Sequence, residues 1–143
     1  MSTSGDDLDR FVRAQARIYR QALRELESGR KETHWMWFVL PQLRGLGQSE
    51  MAVEYGIADL GEAVAYAAHP VLGPRLRECV SAALAHRDAG ADAVFGPVDA
   101  MKFRSCLTLF AEAVPEESCF REALEVFYGA EPDGMTLGLL SRA

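Results

Sequence analysis

The sequence has few cysteines and no long apolar run. The three cysteines (Cys79, Cys106 and Cys119) are odd in number and widely spaced, so they form neither a disulfide framework nor a paired metal-binding motif. No apolar run approaches the ~18 residues of a membrane span, and the polar, acidic residues 1–7 lack the apolar core of a secretory signal. We therefore expect a cytoplasmic protein without a membrane partner.

The familiar signature motifs of enzymes are also missing. The chain has no glycine-rich dinucleotide or phosphate motif, no HExxH zinc motif and no GxSxG nucleophile motif. The three histidines (His34, His69 and His86) lie far apart and lack the spacing of metal ligands. A cysteine–histidine pair that meets only in the folded chain stays open, although no motif flanks it. Catalytic residues are thus unknown, and neither a metal nor a cofactor is predicted.

The chain has fewer basic than acidic side chains. The chain has 15 Lys/Arg against 21 Asp/Glu, so its net charge is −6. That excess argues against a nucleic-acid partner, because phosphate contacts would have to overcome it. The charge is also uneven: residues 1–48 hold 8 basic and 6 acidic side chains, and residues 49–143 hold 7 and 15. This polarity is compatible with a protein partner or a homodimer but is too mild to establish either.

Helix-forming residues dominate the composition. Alanine and leucine together account for 37 residues, whereas isoleucine, valine and threonine account for 16. This excess favours an all-α fold. The length is that of one domain, and no internal repeat or low-complexity linker divides the chain. We predict a compact single-domain bundle over residues 1–143, with an ordered core of about 8–140, about six to eight helices and no strand.

Capping residues, prolines and glycines predict the helix boundaries. The first helix is predicted to begin at Asp6 or Asp7 and to end at Gly29. A helix of about two turns is predicted between an N-cap at Thr33 and Pro41. Side-chain caps predict three later helices: one capped by Ser49 and ending at Tyr55, one from a capping box at Asp59 and Glu62 to about Ala68, and one from Ser118 to about Tyr128. Prolines in the first turn predict a helix from Pro74 to about His86 and another from Pro97 or Asp99 to about Val114. A short helix is predicted after Asp133, and one further turn at Ala93–Phe95.

Five arginines recur along one side of the predicted first helix, namely Arg10, Arg13, Arg17, Arg20 and Arg24. At 100° per residue they fall within about 80° of each other, opposite to the apolar face. Such a stripe is typical of a solvated face, and it also suits phosphates or an acidic partner. The alternative function is therefore a non-catalytic helical interaction module that uses the Arg10–Arg24 stripe.

The densest chemical signal is the run His34-Trp35-Met36-Trp37-Phe38, which contains both tryptophans. On a helix His34 shares a face with Trp37 and Phe38, whereas Trp35 points nearly opposite to Trp37. Aromatic faces beside an imidazole can clamp a planar base or a sugar. If the helix were buried on all sides, the same rings would simply form core. The sequence leaves both interpretations open.

A second signal surrounds Lys102, which shares a helix face with Ser105 and Cys106 and lies among apolar residues. Arg104 points about 160° away from it. A half-buried lysine can bind an anion, act as an acid or base, or pair with a carboxylate such as Asp99. The structural alternative is that its ammonium extends to the surface.

A third signal is the run from His69 to Leu76, which has a proline at either end of a short turn and then Arg75. A helix N-terminus with an arginine nearby can attract an anion. A rigid corner is the alternative interpretation, and it is the one that the two prolines favour.

Four stretches, His34–Gln42, Leu43–Ser49, His69–Leu76 and Asp99–Phe110, together resemble a bacterial family, domain of unknown function 1810. The similarity runs in the same order from about Leu8 to Leu140. This resemblance implies a compact, mainly α-helical single domain, and it brings no established activity.

The functional hypothesis is a small-ligand site, with or without catalysis, between the aromatic helix and the Lys102 helix. Its candidate ligand-binding residues are His34, Trp35, Trp37, Gln42, Lys102, Arg104 and Ser105. A tryptophan would stack, His34 would donate or exchange a proton, and Lys102 or Arg104 would hold an anionic group. Aromatic plus cationic groups suit a nucleotide or an ADP-ribose type of ligand. The hypothesis requires His34, a tryptophan and Lys102 to meet in one pocket.

Overall fold

A computed structural model describes the backbone of residues 4–142 and the side chains of residues 8–142. Residues 4–142 form ten α-helices, α1 (Ser4–Gln15), α2 (Tyr19–Ser28), α3 (Met36–Val39), α4 (Glu50–Tyr55), α5 (Leu60–Ala68), α6 (Leu72–Leu84), α7 (Ala91–Phe95), α8 (Pro97–Ala113), α9 (Ser118–Tyr128) and α10 (Gly134–Ser141). In this range there is no strand, only a parallel bridge between Leu43 and Ile57. The all-α prediction is confirmed. The predicted number of helices is too low, because the first predicted helix divides in two and residues 91–95 form a helix of their own.

Buried Gln15 lies at the division between α1 and α2. Its amide donates to the carbonyl oxygen of Phe38 at 2.6 Å and to the Tyr66 hydroxyl at 3.0 Å, and accepts from Arg75 at 3.2 Å. A buried amide is costly unless it is fully paired. The chain turns immediately after it, where the N–H of Ile18 bonds three residues back to the Gln15 carbonyl at 3.1 Å. Helical periodicity continues through this turn, so the sequence alone predicts one helix.

Two predicted N-caps are confirmed, and each accepts from a backbone N–H three residues along the chain. Ser49 accepts from Ala52 at 3.1 Å and Asp59 from Glu62 at 2.8 Å. The short helix predicted after Asp133 is also present, and the Asp133 carboxylate caps it by accepting from the Thr136 N–H at 2.9 Å. Gly29, with φ +84, ends α2 as predicted.

Other predicted boundaries differ from the structure. The two-turn helix predicted from Thr33 is the single turn α3, which begins at Met36. Ser118 is the first residue of α9 rather than its cap, and α6 begins two residues before Pro74. α1 begins at Ser4, ahead of the predicted caps at residues 6 and 7, whose side chains lie outside the described residues.

Helix α8 lies at the centre of the fold. Its residues from Ser105 to Ala111 are all buried, and it packs against α3, α5, α7, α9 and α10. The Phe110 ring lies 5.5 Å from the Tyr66 ring and 5.6 Å from the Phe120 ring, so one aromatic cluster joins α5, α8 and α9. A helix that is apolar on nearly all sides is typical of such a central position. Its N-terminal turns reach the surface and carry Lys102 there.

Arg10 is an internal anchor rather than a member of an exposed stripe. It donates to the carbonyl oxygens of Glu54 at 2.8 Å and Gly56 at 2.9 Å, and pairs with the buried carboxylate of Glu62 at 3.2 Å. The Glu62 carboxylate also accepts from the N–H of Ala58 at 2.9 Å. It therefore binds Arg10 and the loop before α5 instead of completing the capping box predicted with Asp59. The predicted five-arginine stripe is wrong in this respect, and the turn after Gln15 also interrupts it, since Arg13 lies in α1, Arg17 in the turn, and Arg20 and Arg24 in α2.

Candidate functional site

Two adjoining pockets lie beside the N-terminal half of α8 and share Val98 and Lys102 in their walls. The apolar pocket has a volume of about 260 Å³, and its lining includes Gln42, Leu46, Val98, Met101, Lys102, Arg104, Ser105, Asp133 and Met135. The cationic pocket has a volume of about 250 Å³ and is lined by Lys31, His34, Trp35, Met36, Trp37, Val98, Asp99 and Lys102. All seven residues singled out from the sequence line one or both pockets. His34, Trp37 and Lys102 meet in the cationic pocket, as the hypothesis requires.

Two lysines share one carboxylate in the cationic pocket. Asp99 lies 2.7 Å from the Lys31 ammonium and 3.8 Å from that of Lys102. Each ammonium also lies over an indole ring, Lys31 at 5.1 Å from the Trp35 ring centre and Lys102 at 5.0 Å from that of Trp37. The Lys31 side chain is 5% exposed and that of Lys102 is 28% exposed. Lys102 is therefore the more accessible of the two cations.

The aromatic cluster is divided between core and pocket. Trp35 is 0% exposed, and Met36 and Phe38 are buried, so these three belong to the core. His34 is exposed and Trp37 is half-buried. The predicted stacking role of Trp35 is therefore a misassignment, because its ring is enclosed and forms the back of the pocket. His34 precedes α3, so the predicted helix face shared by His34, Trp37 and Phe38 does not form.

Glu25, on the buried face of α2, holds the wall of the cationic pocket. Its carboxylate accepts hydrogen bonds from the Trp35 indole at 2.9 Å, from the Glu32 and Thr33 N–H groups at 2.8 and 3.0 Å, from the Thr33 hydroxyl at 2.7 Å and from Gln21 at 2.8 Å. Burial by itself would raise the pKa of Glu25, but these hydrogen bonds outweigh it and lower the pKa to about 2. The segment from Glu32 to Trp35 is thus held by hydrogen bonds to the Glu25 carboxylate, which is ionised at neutral pH.

Glu25 is not among the residues that the sequence pattern singled out. Its position three residues after Ala22 and next to Leu26, both fully buried, places it on the apolar face of α2. A lone acidic residue within an apolar face is the signal that would have identified it, because buried carboxylates need partners.

Arg104 and Ser105 hold α10 against α8. Arg104 donates to the carbonyl oxygens of Glu131 at 2.9 Å and Pro132 at 3.1 Å and to the Glu131 carboxylate at 3.1 Å. The Ser105 hydroxyl donates to the Asp133 carboxylate at 3.1 Å. The predicted role of Arg104 in holding an anion is corrected accordingly, because these internal acceptors engage its guanidinium.

Gln42 presents a side-chain amide to the apolar pocket. Its backbone is fixed by the bridge, since the N–H of Ile57 donates to the Gln42 carbonyl at 3.0 Å and the N–H of Arg44 donates to the Ile57 carbonyl at 2.8 Å. The amide itself makes no hydrogen bond within the described part of the chain. Gln42 is one of the ligand-binding residues predicted from the sequence, and its side-chain hydrogen-bonding groups remain free in this pocket.

Three large apolar side chains surround the mouth of the apolar pocket. Val98 is 67% exposed, Met101 is 72% exposed and Met135 is 68% exposed. Single exposed apolar residues are normal, but a group of them around a concave site is typical of ligand or protein contact.

The run from His69 forms a rigid corner. The His69 Nδ1 accepts from the N–H groups of Val71 at 3.1 Å and Leu72 at 3.2 Å. Arg75 points inward, with its guanidinium 4.7 Å from the Tyr19 ring centre.

Among the described residues there is no group of three or more metal-ligating side chains. Of the described helices, none has the length and apolar character needed to cross a membrane.

Comparison with known proteins yields one family and one solved structure. The family described as "Protein of unknown function (DUF1810)" matches residues 5–140. The crystal structure of the conserved hypothetical protein Rv1873 from Mycobacterium tuberculosis is 49% identical in sequence, with a TM-score of 0.93, and the match covers 94% of this chain and 96% of that one. No curated protein matches. The match over residues 5–140 establishes that the chain belongs to the DUF1810 family of proteins of unknown function.

Proposed function

We propose that this protein binds a small anionic ligand, of the nucleotide or ADP-ribose type, at the cleft formed by the two pockets that join at Lys102. The observation that carries the proposal is the position of Lys102, which lines both pockets with its ammonium 5.0 Å from the Trp37 ring centre. A partly exposed lysine beside an aromatic ring offers both charge and a stacking surface to a ligand.

The local charge supports an anion rather than a cation. The walls of the cationic pocket contain two ammonium groups, Lys31 and Lys102, against one carboxylate, Asp99. This positive surplus occurs in a chain whose net charge is −6. Positive charge within a concave site focuses the electrostatic field and raises the local concentration of anions. Exposed His34 adds a hydrogen-bond donor at the mouth of the cationic pocket.

The interaction-module alternative has less support. It depends on a continuous stripe from Arg10 to Arg24, but Arg10 is used internally and the stripe spans two helices. The four remaining arginines are exposed, which is the usual condition of surface arginines. By contrast, the cleft brings together residues from distant parts of the chain.

The test is a thermal-shift screen with ADP-ribose and mononucleotides on the wild type and three variants. We expect a ligand-dependent rise in Tm for the wild type that is lost in Lys102→Ala and in His34→Ala. At a ligand concentration of 100 Kd, binding adds about 2.7 kcal/mol to the free energy of unfolding. Arg20→Ala is the matched control, because it removes one exposed positive charge from α2, away from the cleft, and should keep the full shift.

The Tm values without ligand separate loss of binding from loss of folding. The proposal is wrong if no ligand shifts the wild type, or if the shift of Lys102→Ala equals that of the control variant.

A further inference from the structure

We infer that the ligand is a nucleoside monophosphate with an adenine-type base, which lies in the apolar pocket against Gln42 while the phosphate lies beside Lys102 in the cationic pocket. This inference rests on the proposed function, and it specifies the substrate class and its orientation. It follows from the sizes of the two pockets, their opposite chemistry, their charge and the free amide of Gln42.

The pocket sizes indicate a ligand that spans both. The volumes are about 260 and about 250 Å³, each below the roughly 300–1,000 Å³ of a usual ligand site. The two pockets share Val98 and Lys102 in their walls, so they lie side by side, and their combined volume falls within that range. A ligand of ordinary size thus passes Lys102 and has one end in each pocket.

The two ends of this site differ in chemistry. The apolar pocket is bounded by Leu46, Val98, Met101 and Met135 and suits an uncharged planar group. Methionine side chains adapt to flat rings and make favourable sulfur–aromatic contacts. The cationic pocket holds the two lysines and exposed His34, which suit an anionic group. A planar base at one end and a phosphate at the other match this polarity.

The charge of the site favours one phosphate group. Arg104 is engaged by Glu131, and the Lys31 side chain is 5% exposed and 2.7 Å from Asp99. Lys102 is therefore the accessible cation, and the cationic pocket, with two lysines and one aspartate in its walls, has a surplus of a single positive charge. A phosphate monoester carries about −1.5 to −2 at neutral pH. A second phosphate would bring further negative charge without a further accessible cation.

Gln42 provides recognition of the base. A glutamine amide offers a donor and an acceptor side by side, which pair with the amino group and N7 of adenine. On that edge hypoxanthine presents two acceptors, its oxygen and N7, so the amide oxygen of Gln42 would have no donor to accept from. A bidentate pair of this kind discriminates against a base that cannot form it. We expect a preference for AMP over IMP of roughly tenfold, which corresponds to about 1.4 kcal/mol.

Isothermal titration calorimetry of the full chain with AMP, IMP, ribose 5-phosphate and ADP-ribose tests the inference. For the wild type we expect AMP to bind roughly tenfold tighter than IMP, and ADP-ribose to bind no tighter than AMP. Gln42→Leu keeps most of the side-chain volume and should abolish the preference for AMP. Its affinity for ribose 5-phosphate should equal that of the wild type, which also shows that the variant is folded. Lys102→Ala should weaken the binding of all four ligands.

Equal affinities of the wild type for AMP and IMP, or an undiminished preference in Gln42→Leu, would overturn the role of Gln42. Tighter binding of ADP-ribose than of AMP would overturn the assignment of a monophosphate. Failure of the proposed function looks different, because none of the four ligands would then show binding that depends on Lys102.

Discussion

Replacing Gly73 by alanine is expected to lower the free energy of unfolding by about 3 kcal/mol or more. A Cβ at this position would overlap the carbonyl oxygen of Ala67 and lie 3.0 Å from the Arg77 guanidinium. That carbonyl belongs to the end of α5 and accepts from Arg77 at 3.1 Å, so it cannot rotate away as a flexible side chain would. The corner between α5 and α6 would have to open, which would disrupt the buried packing of both helices.

Gly138→Ala is the matched control for this substitution. Gly138 is also within a helix, α10, but nothing lies within 4 Å of the position of an added Cβ. There the change should raise stability by about 0.5–1 kcal/mol, because alanine has the higher helix propensity. Urea unfolding of both variants measures the difference, and Gly73→Ala should also lower Tm by roughly 10 °C. Equal effects at the two positions would show that the corner tolerates a side chain.

Replacing Glu25 by glutamine is expected to lower the free energy of unfolding by about 3 kcal/mol at neutral pH. Glutamine has nearly the same shape, but its NH₂ group would face N–H donors that the carboxylate now accepts from, including the buried Trp35 indole at 2.9 Å. A buried donor without an acceptor bears its full desolvation penalty. Glu32→Gln is the control, because its side chain is an exposed carboxylate seven residues further along the chain.

The loss of unfolding free energy in Glu25→Gln should become smaller as the pH falls. The folded-state pKa of Glu25 is about 2, below the ordinary value of 4.5, so the folded state favours the carboxylate. Its contribution to stability is present above pH 4.5 and is lost as the pH falls toward 2. The difference between wild type and variant in urea unfolding should therefore be largest at neutral pH and shrink across that interval. A difference that does not change with pH would contradict the assigned role of the charge.

The features that the sequence predicts well depend on near neighbours. The caps at Ser49, Asp59 and Asp133 each bond an N–H three residues away, and Asp99 pairs with Lys102 over the same spacing. Such interactions are set by local order along the chain, so spacing rules identify them. The residues that line the two pockets were singled out by the chemistry of their own side chains, which the sequence also shows directly.

The features that the sequence does not reveal depend on distant partners. Gln15 bonds residues 23, 51 and 60 positions away, and the helix break beside it has no local signal. Arg10 looks like one of five equivalent surface arginines until its partners beyond residue 53 are known. Trp35 and Trp37 are two residues apart, yet one is enclosed and the other is half-buried, because Trp35 precedes α3 and bonds the buried Glu25, whereas Trp37 lies within α3.

By itself, the sequence determined the all-α class, most helix ends and the kinds of side chain available for a site, because these depend on helix propensity and on bonds within a few residues. Only the tertiary structure decided which of those side chains face solvent. It committed Trp35, Arg104 and Ser105 to internal partners and left Lys102 and Gln42 accessible in adjoining pockets. The physical reason is that exposure and pairing are properties of packed surfaces formed by segments far apart in the chain.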